Sequence, residues 1–259
     1  MINKPTIKEL KEEFIKIYGG SQSDLRVFSA PGRVNLIGEH TDYNGGFVFP
    51  AALSMRTVVI ARKKDNGIIR LRATDLSDDV SADITRLDDY RNLKWGNYQI
   101  GVAFELEKLG YDIVGCELLY YGDVPFGGGL SSSASIEVAT AIAFVTFSNE
   151  KNGIKDEIDM VQLAKVGQAA ENNYAGVNCG IMDQFASAMG KKDHVIFLNC
   201  KDLSYKLVRL KMDGYKIIIA NTNKKRALAD SKYNERRAQC EAALELLKQG
   251  IQGATCLGD

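Results

Sequence analysis

The stretch from residue 116 to residue 147 constrains the fold of this chain most, because a strand, a glycine-rich loop and an apolar helix follow one another there. The strand is "CELLYYGDV", the loop is "PFGGGLSSSAS" and the helix runs through "ASIEVATAIAFVTF". Three consecutive glycines, Gly127 to Gly129, allow a backbone to approach a ligand closely and to adopt positive φ angles. The serines that follow begin a helix whose first amide groups have no partner within the helix. Free N–H groups, the helix dipole and hydroxyl donors together predict an anion site, most often for phosphate.

This glycine-rich loop matches neither of the common nucleotide-binding patterns. No lysine follows the glycines, so the loop is not a G-x-x-x-x-G-K-[ST] phosphate loop. It also lacks the G-x-G-x-x-G spacing of the dinucleotide-binding folds. A flexible turn followed by an ordinary serine N-cap fits the same residues, and both interpretations stay open at this point.

A second unusual stretch is "GRVNLIGEHTDYNGG", residues 32–46, which crowds charged and polar side chains between glycines. It contains Arg33, Glu39, Asp42 and one of the two histidines of the chain, His40. Because the stretch has few apolar residues to bury, it is either an ordinary polar loop or a site that holds a polar ligand.

The remaining sequence predicts an α+β fold in which helices and strands do not strictly alternate. Strands are predicted at "RVFSAPG", "TVVIARK", "IIRLRAT", "HVIFLNC", "SYKLVRLKM" and "YKIIIANT". Helices are predicted after Thr6, whose spacing from Glu9 fits a capping box, and at residues 97–110, 158–174 and 181–189. The last predicted element is a helix that carries Cys240, Leu244 and Leu247 on one face.

The composition favours a soluble cytoplasmic protein and gives no reason to expect nucleic acid or a membrane as partner. Hydrophobic residues make up 45% and charged residues 25% of the chain, and 33 basic residues balance 33 acidic ones. The five cysteines show no C-x-x-C spacing and are odd in number, which indicates neither a disulfide framework nor a zinc site. No apolar run reaches the length of a membrane span.

Two carboxylates twelve residues apart, Glu171 and Asp183, lie on either side of the loop "AGVNCG". Beside a phosphate site, one of them could bind Mg²⁺ while the other orients or deprotonates a hydroxyl. Each also has an ordinary interpretation, since Asp183 falls in the first turn of a helix and Glu171 fits a solvated helix face. Tyr233 begins a charged helix and could donate its hydroxyl to a ligand.

Three stretches together resemble the galactokinases of the GHMP kinase superfamily. "GRVNLIGEHTDYNGG" resembles the galactokinase signature, "PFGGGLSSSAS" the phosphate-binding motif and "CGIMDQF" the segment with the catalytic aspartate. They occur in the family's order, and the resemblance runs from about residue 20 to the chain end. It implies a transferase of galactose metabolism, which uses ATP and Mg²⁺ to convert α-D-galactose into galactose 1-phosphate in the Leloir pathway.

The resemblance also implies roles for residues by their position in these motifs. Arg33 and Asp183 would be catalytic, with Arg33 between the anomeric hydroxyl and the γ-phosphate; whether Asp183 removes the proton or orients the hydroxyl stays open. The sugar-binding residues would be Glu39, His40, Asp42, Gly180 and Tyr233. The ATP-binding residues would be Trp95, Tyr98, Gly127, Gly128, Gly129, Leu130, Ser131, Ser132 and Ser133. Trp95 and Tyr98 would flank the adenine, although core packing accounts for large aromatics equally well. Ser132 and Glu171 would lie next to the Mg²⁺.

The family's third glycine-rich motif, near the C-terminus of the second domain, has no counterpart in this chain. The resemblance therefore implies residues 1–205 as the GHMP kinase N-terminal domain, with a mixed sheet packed by helices. Residues 206–259 would be the start of a truncated α+β C-terminal domain. Such a chain can be an inactive fragment that exposes apolar surface and self-associates, whereas a full-length enzyme would be a monomer.

Three other functions remain open. One is a related sugar-1-kinase for N-acetylgalactosamine or arabinose, although "GEHTDYN" favours galactose. Another is a sensor that binds sugar and ATP without transferring phosphate; the intact serines from Ser131 to Ser135 favour the enzyme instead. The last is a structural fragment without a competent site.

Overall fold

A five-stranded mixed sheet is the centre of the computed structural model, which describes residues 4–222 and 229–259. The strands in chain order are β1 (Arg26–Asn35), β2 (Phe47–Val48), β3 (Pro50–Lys63), β4 (Ile68–Ala73), β5 (Val80–Asp83), β6 (Cys116–Gly122), β7 (His194–Asn199) and β8 (Tyr205–Arg209). The large sheet has the order β1-β3-β6-β4-β5, in which only β4 and β6 are parallel, and β2, β7 and β8 form a small antiparallel sheet.

The helices are α1 (Ile7–Tyr18), α2 (Asn97–Lys108), α3 (Ser132–Asn152), α4 (Met160–Ala169), α5 (Met182–Met189) and α6 (Ala229–Lys248), and Ala170–Ala175 extends α4 as a π-helical turn. Helix α1 begins at the predicted capping box, in which Thr6 and Glu9 each bond the other's backbone N–H. Together with the sheets, these helices confirm the predicted α+β class. No helix in the described part of the chain is long and apolar enough to cross a membrane.

The central strands β3 and β6 are buried on both faces of the sheet, which explains their nearly continuous apolar sequences. One face, including Val59 and Leu118, packs against α3 through residues such as Phe144. The other face, including Ile60, packs against Phe14 of α1. Because helices cover both faces, strict alternation of apolar and polar residues is not needed in these strands.

Three segments far apart in sequence meet at the middle of β1. The Ser135 hydroxyl in α3 donates to the Ala30 carbonyl over 2.7 Å and accepts from the Thr57 N–H over 3.0 Å. The Ser187 hydroxyl in α5 donates to the Pro31 carbonyl over 2.7 Å. These bonds hold the N-terminal end of α3 and the C-terminal half of α5 beside Gly32, the residue that follows Pro31, and thereby close to Arg33.

The prediction of a strand at "YKIIIANT" is wrong. Residues 215–222 have no regular structure, and 78% of Tyr215 and 89% of Ile218 are exposed. A strand requires a neighbour that accepts its backbone hydrogen bonds, and none of the described strands lies beside this segment. Its apolar side chains therefore remain on the surface, as do Leu246 and Leu247 of α6.

The domain boundary predicted between residues 205 and 206 falls within β8, which pairs along its length with β7. Helix α6 follows and packs on the loops around Asn44 and Asn178, where the Arg237 guanidinium donates to the Asn178 carbonyl over 2.7 Å. The division into two domains remains a prediction.

Candidate active site

A cleft of about 660 Å³ lies where β1, the glycine-rich loop, α5 and α6 meet. It collects most of the residues singled out in the sequence, although they come from five separate stretches of the chain. The cleft is lined by Arg33, Glu39, His40, Asp42, Gly127, Gly129, Leu130, Ser131, Ser132, Ser133, Glu171, Gly180, Asp183 and Tyr233, together with Val34, Asn35, Val177, Cys179, Met182, Lys232 and Arg236.

An arginine–aspartate pair occupies the centre of this cleft. The Arg33 Nε and Nη2 atoms lie 2.8 and 2.6 Å from Asp183 Oδ1, and Nη1 donates to the Gly129 carbonyl over 2.7 Å. The other carboxylate oxygen of Asp183 accepts the Ser131 hydroxyl over 2.5 Å. Asp183 also stands in the first turn of α5, where the helix dipole favours a negative charge. The pair thus links the glycine-rich loop to the start of α5.

The glycine-rich loop leaves the N-terminus of α3 without a side-chain cap. Gly127, Gly129 and Ser131 have φ angles of 68°, 77° and 59°, so the loop depends on the left-handed conformation that glycine adopts freely. Ser131 occupies the N-cap position, yet its side chain bonds Asp183 and makes no cap hydrogen bond. Ser131 therefore does not act as an ordinary serine N-cap, which was the alternative interpretation of this loop. The first amides of α3 remain available for an anion.

A buried acidic cluster borders the cleft behind this loop. The Gln184 amide nitrogen donates to Glu171 Oε2 over 2.8 Å and to Glu137 Oε2 over 2.9 Å. Burial, and then the charge of nearby Asp183, raises the pKa of Glu171 to about 7. Burial, and then the charge of Glu171, raises the pKa of Glu137 well above its usual value. The Ser133 hydroxyl donates a hydrogen bond to the Glu171 carboxylate, and this bond partly offsets the rise in the pKa of Glu171. Ser133 is therefore a direct neighbour of the carboxylate.

The residues of the galactokinase-like signature line the opposite side of the cleft. Glu39 Oε1 accepts from the Asn35 amide over 2.8 Å, and His40 lies 5.5 Å from Tyr233, measured between ring centroids. Asp42 lies against Gly180 so closely that a Cβ at position 180 would be 2.1 Å from Asp42 Oδ2. The glycine is therefore required by the close approach of the carboxylate.

Two of these polar groups have perturbed acidities. Burial, and then the charge of Asp183, raises the pKa of Asp42. Burial, and then the charge of Asp42, raises the pKa of Tyr233, so its hydroxyl keeps its proton. This side of the cleft thus offers both hydrogen-bond donors and acceptors at close range.

Trp95, Tyr98 and Gly128 are predicted site residues that do not line the cleft. Trp95 packs on the main core, 6.4 Å from Tyr120 between ring centroids, and Tyr98 is half-buried in the first turn of α2. The assignment of both aromatics to the adenine remains a prediction. Gly128 turns back within the loop, where its N–H donates to the Pro125 carbonyl over 3.1 Å.

Several residues of the site were missed by reasoning from the sequence. Glu137 and Gln184 are fully buried beside Glu171, and Lys232 and Arg236 bring cations to the rim from α6. A carboxylate inside the apolar run of α3, four residues after Ser133, was the available signal for Glu137. The sequence contains no comparable indication for Lys232 or Arg236, because the many charged residues of α6 are typical of a helix face exposed to solvent.

The protein alone does not offer a complete metal cage. Within residues 4–222 and 229–259, no group of three or more histidine, cysteine, aspartate or glutamate side chains is arranged to hold a metal ion. The oxygen donors near the loop, Glu171 with Ser132 and Ser133, nevertheless fit Mg²⁺, which typically takes one or two protein ligands and completes its shell with phosphate and water.

Comparison with known proteins identifies two family models along the chain. The galactokinase galactose-binding signature matches residues 12–63, and the GHMP kinases N terminal domain matches residues 97–191. The galactokinases of Clostridium tetani and Halalkalibacterium halodurans are 48% and 50% identical to the chain, over 95% and 92% of its length. The crystal structure of Lactococcus lactis galactokinase complexed with galactose superimposes with a TM-score of 0.90 at 37% identity, over 97% of this chain.

These relatives are considerably longer than the chain. It covers 61% of the C. tetani protein, 58% of the H. halodurans protein and 64% of the L. lactis chain. The matched region includes the whole cleft described above.

Proposed function

The chain belongs to the galactokinase family of the GHMP kinase superfamily, and on that premise we propose that its cleft transfers the γ-phosphoryl group of ATP to the anomeric hydroxyl of galactose. The observation that carries this proposal is the Arg33–Asp183 pair. It touches the glycine-rich loop through Gly129 and Ser131, and α5 places it next to the residues of the galactose-binding signature. The relative solved with galactose supports the choice of sugar.

Arg33 is placed to stabilise the phosphoryl group in transit. Its guanidinium has five N–H donors, and the bonds to Asp183 and the Gly129 carbonyl leave further hydrogens on Nη1 and Nη2 free for phosphate oxygens. Because phosphoryl transfer depends mainly on alignment and on compensation of charge, a fixed cation at this point lowers the barrier without moving.

Asp183 acts on the sugar hydroxyl. Its Oδ1 is held by Arg33, whereas among the described residues Oδ2 accepts only the Ser131 hydroxyl, which can rotate away. We propose that the anomeric hydroxyl donates to Oδ2, so that Asp183 first orients the nucleophile and then takes its proton as the new O–P bond forms. Glu39, His40, Asp42, Gly180 and Tyr233 hold the remaining polar atoms of the sugar.

The glycine-rich loop and the uncapped amides of α3 bind the triphosphate in this proposal. Gly127 and Gly129 supply the close backbone approach, Gly128 forms the turn between them, and Leu130 to Ser133 supply amides and hydroxyls. Glu171 with Ser132 or Ser133 would hold Mg²⁺, which neutralises phosphate charge when it is bound. We further propose that residues 1–205 form the N-terminal domain of the kinase and that residues 206–259 begin the second.

The proposal is tested by measuring ADP release and sugar binding on the same preparation. We expect galactose-dependent ADP formation, with smaller responses to N-acetylgalactosamine and arabinose, and calorimetric binding of galactose. Asp183→Ala should lower ADP formation by at least about 10³-fold while the melting temperature stays close to that of the parent. Asp65→Ala, at an exposed position outside the cleft, is the matched control.

Each outcome bears on a separate part of the proposal. A preference for another sugar would reassign the substrate. Galactose binding without ADP formation would limit this chain to a binding role. Normal turnover by Asp183→Ala would remove the proposed chemical role of the carboxylate.

A further inference from the structure

His40 is held in a strained and closely contacted position at the edge of the cleft. Its φ angle is 62°, a left-handed conformation that non-glycine residues adopt at a cost. Its Nδ1 atom lies 2.6 Å from the Tyr43 hydroxyl, and its ring is 5.7 Å from Tyr43 and 5.5 Å from Tyr233 between centroids. The 3₁₀ turn Asp42–Asn44 brings Tyr43, three residues later, back beside the histidine.

Tyr43 contacts His40 without itself lining the cleft. The lining residues include His40 and Tyr233, whereas Tyr43 faces the smaller depression that runs beneath the loop towards Cys200. Its ring is also covered by Tyr233, 5.6 Å away between centroids, and by the guanidinium of Arg237, 5.8 Å from the ring centroid. Tyr43 therefore influences a ligand in the cleft through neighbouring side chains, and His40 is the cleft-lining neighbour within hydrogen-bonding distance of its hydroxyl.

The acidity and the neighbours of Tyr43 indicate which atom carries the proton between the two rings. Burial, and then the neighbouring Cys240 thiol, raises the pKa of Tyr43 to about 12, so the phenol keeps its proton. The nearby alternatives for that proton are a weak sulfur acceptor at Cys240 and a ring nitrogen at 2.6 Å. The sulfur in turn accepts from the Asn44 amide over 3.5 Å. The strong acceptor is the imidazole nitrogen.

We propose that Tyr43 is a positioning residue that donates its hydroxyl proton to His40 Nδ1, and so holds the imidazole as the Nε2–H tautomer with this N–H directed at a sugar oxygen. This inference rests on the proposed function for the identity of the ligand. Since Nδ1 faces Tyr43, outside the lining of the cleft, the opposite edge of the ring is the one presented to the ligand.

The neighbouring glutamate complements this donor. Asn35 occupies Glu39 Oε1, which leaves Oε2 to accept a hydroxyl proton from the sugar. His40 as donor and Glu39 as acceptor can then bind one hydroxyl group together or two adjacent ones. Two adjacent residues of opposite hydrogen-bonding character discriminate hydroxyl positions better than two acceptors would, because a misplaced hydroxyl leaves one of them unpaired.

The tautomer can be read directly, because the chain has only two histidines. In the ligand-free protein at about pH 8.5, where imidazole is generally neutral, long-range ¹H–¹⁵N correlation spectra distinguish protonated from bare ring nitrogens. We expect His40 with a bare Nδ1 and a protonated Nε2. His194 serves as an internal control in which Nδ1 should be protonated. Its Nδ1 lies 2.7 Å from the Lys192 carbonyl, which can only accept a hydrogen bond.

A double-mutant cycle tests the positioning role. Tyr43→Phe should move the two His40 nitrogen shifts towards each other and weaken galactose binding about tenfold, the value of one ordinary hydrogen bond to a ligand. In a His40→Gln background, the side-chain amide is a donor whose proton position does not depend on Tyr43. Tyr43→Phe should therefore not weaken galactose binding any further in that background. Tyr215→Phe, at an exposed tyrosine, is the matched control.

The outcomes separate this inference from the function it rests on. A protonated Nδ1 on His40 overturns it, and so does a Tyr43→Phe penalty of equal size in both backgrounds, which a merely structural role would produce. If the parent protein does not bind galactose, the proposed function fails, and so does the claim that the His40 Nε2–H binds a sugar oxygen. The claim that Tyr43 fixes the tautomer of His40 is decided by the spectrum alone.

Discussion

Replacing Glu171 by glutamine should stabilise the protein above neutral pH and leave it unchanged in acid. The carboxyl group of Glu171 is 7% exposed, and its pKa is raised from the usual 4.5 to about 7. At 1.36 kcal/mol for each pKa unit, keeping this group ionised in the folded chain costs about 3 kcal/mol. Glutamine has nearly the same shape and retains a carbonyl oxygen for the Gln184 amide, so the hydrogen bond survives while the buried charge is removed.

The sign of the pH dependence follows from the direction of the shift. A carboxyl group with a higher pKa in the folded chain binds protons more tightly there than in the unfolded chain. Its favourable contribution is therefore complete below about pH 4.5 and is lost as the pH rises through about 7. Glu137 is shifted in the same direction, and loss of the charge at position 171 relieves it as well.

The assay is thermal unfolding of parent and variant in matched buffers from about pH 5 to pH 8, without added cations. At roughly 2–4 °C per kcal/mol for a chain of this size, Glu171→Gln should melt roughly 6–12 °C above the parent at pH 8. At pH 5, where the carboxyl of Glu171 is mostly protonated in the folded chain, the variant should melt only roughly 2–3 °C above the parent. Glu107→Gln, on the exposed side of α2, is the control and should follow the parent at every pH. Parallel melting curves of parent and Glu171→Gln across this range would refute the reasoning.

Two further substitutions test separate contacts. Gly180→Ala places a Cβ 2.1 Å from Asp42 Oδ2, so the carboxylate of Asp42 must move aside. Because a side-chain carboxylate can move, we expect less than about 1 kcal/mol to be lost in stability. Because Asp42 then leaves its position in the cleft, we expect galactose affinity to fall at least about tenfold. Calorimetry measures the affinity and thermal melting the stability. Gly250→Ala is the control, because its Cβ would meet no atom closer than 4.0 Å, and unchanged affinity of Gly180→Ala would contradict the close packing. Ser135→Ala leaves the buried Thr57 N–H without its acceptor and should cost about 1–3 kcal/mol in denaturant unfolding. A cost near zero would mean that this hydroxyl does not tie α3 to the sheet.

The local elements were predictable because their signals are local. The capping box of Thr6 and Glu9 begins α1, and the branched residues of "TVVIARK" form part of a strand, since each depends on neighbours in sequence. The segment "YKIIIANT" is similarly rich in branched residues and still forms no strand. Strand formation needs a partner in space, and residue composition cannot show whether one is present.

The family resemblance was also recognisable from the sequence, through three motifs whose order matches the galactokinases. Those motifs indicated Arg33, Asp183 and the glycine-rich loop, and the structure brings all three into one cleft. They did not indicate Gln184 or Glu137, which contact Glu171 from inside the core. Nor did they show that Trp95 packs on the core instead of lining the cleft.

The sequence by itself determined which side chains are available for the chemistry, their order along the chain and the local conformations that glycine and helix caps require. Only the tertiary structure decided how these side chains are paired: Ser131 turned from its cap to Asp183, Ser133 beside Glu171, and His40 against Tyr43. The physical reason is that hydrogen-bond partners and acidities depend on distance and burial. Both are set by contacts between segments far apart in the chain, such as the bond from Arg33 to Asp183, which joins residues 150 positions apart.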